Sequence, residues 1–198
     1  MGLAASSDPA SSTTRALAAL ATVAHVPVLA SLSLLPLLAV RYIGQGSSPR
    51  LMAGVHGLGP SDAVLMPAPL AHVSGLLNGV LLPGAVPMKA VLMARWSADL
   101  AVDLIEAEAI SFMVGPPTFF VELLAADRFT PEAVASLRLI SSGGAGVSPA
   151  FVREAAERLG ARVKRSYGST EAPTVATTTG ADTQEQAATT DGRAVDAA

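Results

Sequence analysis

The chain has 198 residues, 51% of them hydrophobic and only 15% charged, against the roughly 25% charged of an ordinary soluble domain; that length allows one sizeable domain. A net charge of −3, an isoelectric point near 5.5 and the lack of any basic cluster argue against a nucleic-acid partner. With no Cys there is no disulfide framework, thiolate metal site or Cys nucleophile, and His25, His56 and His72 show no metal-ligand spacing.

Residues 1–14 are small and polar and read as a disordered arm. Ala16 to Val40 then runs uncharged between Arg15 and Arg41, longer than the roughly 20 residues that cross a bilayer as a helix. Pro27 and Pro36 would break such a helix, and His25, Ser31 and Ser33 dilute it. The expectation is an apolar lead-in over residues 1–50, with membrane association through 16–40 as the alternative. Residues 41–60 read as a Gly/Ser/Pro-rich connector. From there the pattern is regular. Ala63–Met66, Ala90–Met93, Ile110–Val114, Leu137–Ser141 and Arg162–Ser166 are strand-like apolar runs. Between them lie helix-compatible stretches: Val73–Leu82, a helix capped by Ser97 through Glu108, Thr118–Ala126, and one capped by Ser148 with Pro149 in its first turn and Gly160 after it. Residues 172–198 read as loop or frayed tail. This alternation implies an α/β fold, a partial parallel sheet with covering helices over 51–198.

Four of these strands end in unusual residues. The first runs into Pro67-Ala68-Pro69-Leu70-Ala71-His72-Val73-Ser74-Gly75, and the third into Gly115-Pro116-Pro117-Thr118. The fourth runs into Ser142-Gly143-Gly144-Ala145-Gly146, and the fifth into Tyr167-Gly168-Ser169-Thr170-Glu171. In an open parallel sheet ligands bind beyond the carboxyl ends of the strands, so four separated segments are expected to converge on one site. The 143–146 loop reads as a tight strand-to-helix turn or as a set of backbone N–H groups presented to an anion. Glu171 reads as a solvated carboxylate or, beside phosphates, as a Mg²⁺ ligand. Ser74 and Ser169 lie outside any Gly-x-Ser-x-Gly elbow, which gives a Ser-hydrolase reading little support.

Taken together in order and spacing, these four segments resemble the adenylate-forming superfamily, and acyl-CoA synthetases most of all; Tyr167 to Glu171 is the most specific part. The resemblance covers residues 57–193. It implies ATP-dependent activation of a small carboxylic (fatty) acid to an acyl-adenylate, followed by transfer to coenzyme A. It further implies that Tyr167 lies against adenine with Gly168 and Ser169 beside it. Thr170 would contact the α-phosphate, Glu171 would hold Mg²⁺, and Gly143, Gly144 and Ala145 would line the nucleotide and acyl pocket. His72, Gly75 and Pro117 would belong to the acyl channel. Thr170 and Glu171 are the catalytic candidates.

The sequence departs from the family's pattern. A Ser/Thr/Gly-rich phosphate loop ending in Pro-Lys-Gly is expected ahead of Pro67, and Tyr42-Ile43-Gly44-Gln45-Gly46-Ser47-Ser48-Pro49-Arg50 only echoes it, without the lysine. Too few residues separate that echo from Gly57 for the helix that normally intervenes. The sequence ends just after Gly192-Arg193, ahead of the family's ribose-binding Asp segment and its mobile domain with the catalytic Lys. The expectation is an incomplete piece of the large domain, inactive alone and cytoplasmic. Its rivals are a non-catalytic subunit that associates with a full-length relative, and a membrane-anchored protein.

Overall fold

The computed structural model describes residues 49–195; the expectations for residues 1–48, the 16–40 segment included, lie outside the described residues. Pro49–His56 forms α1. Gly57, at φ +62°, terminates it. The Leu58 N–H reaches the Ala53 carbonyl at 2.8 Å and the Gly57 N–H reaches Gly54 at 3.1 Å, the paired bonds of a Schellman ending. The 41–60 stretch is therefore not all connector. Its Pro49 and Gly57 mark the two ends of a helix that begins inside the Tyr42–Arg50 segment.

After β1 (Ala63–Met66) the chain turns through Pro67–Pro69 into one continuous helical stretch: α2 (Val73–Leu76), a π-helical turn (Leu77–Leu81) and α3 (Leu82–Ala85). Then come β2 (Lys89–Leu92) and α4 (Ala98–Glu108). Ser97 caps α4, its side chain accepting the Leu100 N–H, and Ala109 ends it in a left-handed conformation, φ 50°. β3 (Phe112–Gly115) leads into α5 (Pro117–Leu124), and β4 (Leu139–Gly143) into α6 (Pro149–Leu159). The Ser148 cap and the left-handed Gly160 fall at the ends of α6 where the sequence placed them. β5 (Arg162–Tyr167) closes the parallel part.

Beyond Tyr167 the expectation of a loose tail is wrong. β6 (Ala176–Thr177), α7 (Gln184–Thr189) and β7 (Arg193–Ala194) occupy it. α7 carries a reciprocal capping box between Thr183 and Gln186, and the buried Ala187 and Ala188 hold it against the sheet. Polar composition hid it, because a six-residue helix needs only one small apolar face.

The seven strands lie in the order β2-β1-β3-β4-β5-β6-β7, the first five parallel and the last two antiparallel. One face carries Leu65, Met113, Ile140 and Val163, covered by α4, α5 and α6 through Ala101, Val102, Ile105, Phe120, Leu123, Val152 and Ala155. The other carries Val64, Phe112 and Leu139 under Met52 and Ala53 of α1 and Leu82 of α3. Each fully buried large side chain here contributes about 1.5–3 kcal/mol. Between β1 and β3 the order reverses, since β2 lies on one side of β1 and β3 on the other. Such a reversal opens a crevice at the carboxyl ends of the strands.

The opposite, amino-terminal edge is locked by one polar cluster. Asp62 accepts from Arg138 Nε at 2.9 Å, Arg138 Nη2 at 2.7 Å, Ser111 Oγ at 2.6 Å and the Gly59 N–H at 2.8 Å. Burial pushes the Asp62 carboxyl up, but the bonds from Arg138, Ser111 and Gly59, with the Arg138 charge, outweigh it and hold the group below its ordinary range. This clamp ties the start of β1 to the starts of β3 and β4.

Candidate functional site

A cleft of about 470 Å³ lies at the reversal, over the carboxyl ends of β1, β3, β4 and β5. Each wall comes from a strand-tip segment. Ala68, Pro69, His72 and Ser74 follow β1, and Leu77 and Asn78 come from the π turn behind them. Gly115, Pro116 and Phe119 come from the β3–α5 junction, and Gly143 and Gly144 from the end of β4. Gly168, Ser169, Thr170, Pro173 and Thr174 belong to the hairpin that joins β5 to β6. That hairpin is closed by the Val175 N–H on the Tyr167 carbonyl at 2.8 Å and the Ser169 N–H on Ala172 at 2.9 Å.

Of the residues singled out in the sequence, His72, Gly143, Gly144, Gly168, Ser169 and Thr170 line this one cleft. Gly143 pairs in register with Ser166, so the 143–146 turn lies beside Tyr167. A Cβ at Gly143 would stand 2.4 Å from the Ser166 carbonyl oxygen; glycine lets the two strand tips approach. His72 caps α2, its Nδ1 accepting the Ser74 N–H at 3.2 Å, which places the imidazole proton on Nε2.

The remaining candidates do not line the wall. Tyr167 is 63% exposed on the outer side of the hairpin, and Glu171 and Ala145 are exposed at the rim. Pro117 is set back at the first position of α5, where Pro116 takes the wall. Gly75 is buried behind the cleft, and a Cβ there would stand 2.1 Å from the Pro69 carbonyl. Its smallness lets α2 start directly against the Pro67–Pro69 turn.

The structure also brings in residues that the sequence did not single out. His56, at the end of α1, and Ser141, on β4, reach the cleft from below. Asn78 is the lone polar side chain between Leu76 and Leu82, its one signal in the sequence; it donates through Nδ2 to the Ser74 carbonyl at 3.0 Å. Short π segments inside helices recur at functional sites. Phe119 stacks on Trp96 with ring centroids 4.6 Å apart, and Trp96 Nε1 donates to Glu122 at 2.5 Å, so this aromatic wall is braced from behind.

Beneath His56 lies Lys164, 1% exposed. Its Nζ donates to the Val55 carbonyl at 2.8 Å, near the end of α1, and lies 3.4 Å from His56 Nδ1. Burial, and then the Lys164 charge, lower the His56 pKa to about 3. Burial and the neighbouring Arg162 bring Lys164 down to about 8, partly opposed by Asp182. His56 is therefore a neutral imidazole at any ordinary pH.

The open α/β sheet thus has its crevice at the strand reversal, walled by glycine backbone and hydroxyls. Residues 42–197 match the family described as AMP-binding enzyme. The chain belongs to that family, the adenylate-forming enzymes its four strand-tip segments resemble. It is 33% identical over 110 residues to the medium-chain fatty-acid–CoA ligase of Escherichia coli, covering 56% of this chain and 19% of that one. It is 34% identical over 134 residues to the indoleacetate–CoA ligase of Aromatoleum aromaticum, covering 67% and 26%. An amide bond synthetase from Marinactinospora thermotolerans superposes with a TM-score of 0.62 at 27% identity, over 74% of this chain and 30% of that one. A Mycobacterium tuberculosis fatty acyl CoA synthetase shares the fold, with a TM-score of 0.64 at 21% identity over 75% and 29%. The chain thus spans about a fifth to a quarter of the length of these two ligases.

Proposed function

We propose that this chain carries the strand-tip portion of an acid–thiol ligase site, in which ATP activates a small carboxylic acid as its adenylate and coenzyme A accepts the acyl group. The observation that carries this reading is the meeting of four sequence-distant turns at one crevice, in a chain whose curated relatives are named as CoA ligases. In this reading Gly143, Gly144 and Gly168 offer close backbone approach, and Ser169 and Thr170 offer hydroxyls to phosphate oxygens. Tyr167 and Ala145 flank the adenine from the rim. His72, with its Nε2–H, borders the acyl channel that Gly75 and Pro117 shape from behind. Positioned N–H and O–H donors of this kind stabilise phosphate charge as the carboxylate attacks.

Among the described residues no group of three or more His, Asp or Glu side chains could hold a metal ion. Mg²⁺ does not need such a group, since it binds through one or two carboxylates plus substrate phosphates. Glu171 would hold it jointly with the nucleotide, and the ion would supply neutralising charge. Among the described residues no helix is long and apolar enough to cross a membrane. The proposal includes a cytoplasmic setting, where ATP and coenzyme A are at hand.

Calorimetric titration of ATP with Mg²⁺, and of a non-hydrolysable acyl-sulfamoyl-adenosine, into the folded chain tests the reading. Saturable heat with the adenylate mimic, competed by ATP, is expected. A folded chain that gives no heat with either would overturn it. Coenzyme A-dependent pyrophosphate release across a panel of acids then tests the ligase step.

A further inference from the structure

The floor of the cleft has a different chemistry from its rim. Ser141 stands on β4 two residues before Gly143, hence on the same face and about 7 Å deeper along the strand. It is 1% exposed and in register with Val114 and Lys164. His56, 7% exposed, borders the same floor from the end of α1. A lysine ammonium only donates. With Lys164 Nζ at His56 Nδ1, the ring proton therefore sits on Nε2. Asn78, also buried, gives its Nδ2 to the Ser74 carbonyl, which leaves its amide oxygen as an acceptor. No described residue pairs with His56 Nε2 or with the Ser141 hydroxyl.

One donor, one hydroxyl and one acceptor are thus held, nearly dry, in a cleft also lined by the apolar Leu77, Val114 and Phe119 and by Ser74 and Ser166. A plain alkyl chain pressed onto them would strand all three groups. Leaving one buried polar group unsatisfied is expensive, and sites built to hydrogen-bond a ligand hydroxyl discriminate strongly against the analogue lacking it.

We propose that the His56–Ser141–Asn78 floor recognises an oxygen function, a hydroxyl or carbonyl, carried by the acid at its end remote from the carboxylate. The substrate class is then oxygenated carboxylic acids rather than plain alkyl acids. Lys164 is a positioning residue: its Nζ, 3.4 Å from His56 Nδ1, leaves the ring proton on Nε2. The inference rests on the nucleotide occupying the rim, as in the reading above, because only then does the acyl end point to the floor.

The test uses sulfamoyl-adenosine mimics of butanoic, hexanoic and octanoic acid, each with and without a terminal hydroxyl, titrated into the intact chain. One hydroxylated member is expected to bind about 30-fold tighter than its alkyl partner, the factor one well-satisfied buried group provides. Ser141→Ala and His56→Leu should each cut that ratio several-fold while leaving ATP affinity within about twofold. Equal or tighter binding of the alkyl member in every pair overturns the floor's role and leaves the nucleotide reading standing. A preference that survives both substitutions also overturns it. Failure of every mimic and of ATP to bind a folded chain sinks both. The wild-type ratio is decisive by itself, so the test stands even where a variant does not fold.

Discussion

At the amino-terminal edge of the sheet, Asp62 accepts from Arg138, Ser111 and the Gly59 N–H. At the carboxyl edge, Gly144, Ser169 and Thr170 stand exposed around an open cleft. The strands are the same at both ends, so the contrast comes from what terminates them. Groups already saturated inside the protein can stabilise it but have nothing left for a ligand. Groups exposed at a cleft contribute less to folding and can be reached by a ligand. Substitutions at the first edge should therefore move stability alone, and substitutions at the second should move binding.

Among the substitutions at the two edges, the largest loss of stability is expected from Arg138→Ala. It leaves the nearly buried Asp62 carboxylate without its bidentate partner. Breaking a buried pair costs about 3–5 kcal/mol; Arg138 is half-exposed, so a loss near about 3 kcal/mol is expected in urea unfolding. Adenylate-mimic affinity of the folded fraction should stay within about twofold. A tenfold loss of affinity would mean that the two edges are coupled, and the contrast fails.

Gly143→Ala tests the point where stability and binding are expected to move together. Its Cβ would meet the Ser166 carbonyl at 2.4 Å and the Ser166 hydroxyl at 2.5 Å. Backbone cannot rotate out of the way, so β4 and β5 must part at their tips. Overpacking of this kind costs about 1–3 kcal/mol. Both the unfolding midpoint and nucleotide affinity should fall. Unchanged affinity with lowered stability would place the nucleotide elsewhere.

A pH effect is expected at the floor between the edges. The folded-state pKa of His56 is about 3, below its ordinary 6.5. Between those values the unfolded chain takes up a proton that the native ring refuses. Stability therefore falls as pH drops from 6.5 toward 3, by up to about 1.4 kcal/mol per pH unit. His56→Leu should remove that slope from denaturation curves taken at stepped pH, leaving only the contribution of carboxylates such as Asp62. Lys164 acts in the alkaline range: with its native pKa lowered to about 8 from 10.5, stability should rise as pH climbs between those values.

How much of this was readable from the sequence follows from how local each signal is. Ala63–Met66 is a strand because four apolar residues fall between Asp62 and Pro67, and both long helices start at a Ser that does cap them. The convergence of the four turns was readable too, because parallel strands leave only one edge for such turns to share. The order of the tail is not legible because two-residue strands have no periodicity, although Thr183 and Gln186 stand at capping-box spacing at the start of α7. The pairing of His56 with Lys164 joins residues 108 apart, and a lone His followed far away by a lone Lys carries no local pattern. Tyr167 and Glu171 show the converse. Their motif was conspicuous, yet it places them at the rim and gives the wall to Gly168, Ser169 and Thr170.

The smallest effect sharpens the contrast most. Thr170 is exposed on the β5–β6 hairpin, whose closure is carried by backbone bonds from Val175 to Tyr167 and from Ser169 to Ala172. Thr170→Ala leaves those bonds in place and removes only what one exposed hydroxyl contributes, so unfolding free energy should change by about 1 kcal/mol at most. If the hydroxyl contacts phosphate, its loss removes one hydrogen bond to a charged group, about 1.5–3 kcal/mol. That corresponds to at least a tenfold weaker adenylate mimic, and Thr170→Ser should restore most of it. The expected result is thus a variant that loses little stability and binds about tenfold worse, the mirror image of Arg138→Ala. A Thr170→Ala chain that binds normally would leave Gly143, Gly144 and Gly168 as the phosphate contacts, with backbone N–H groups rather than hydroxyls doing the recognition.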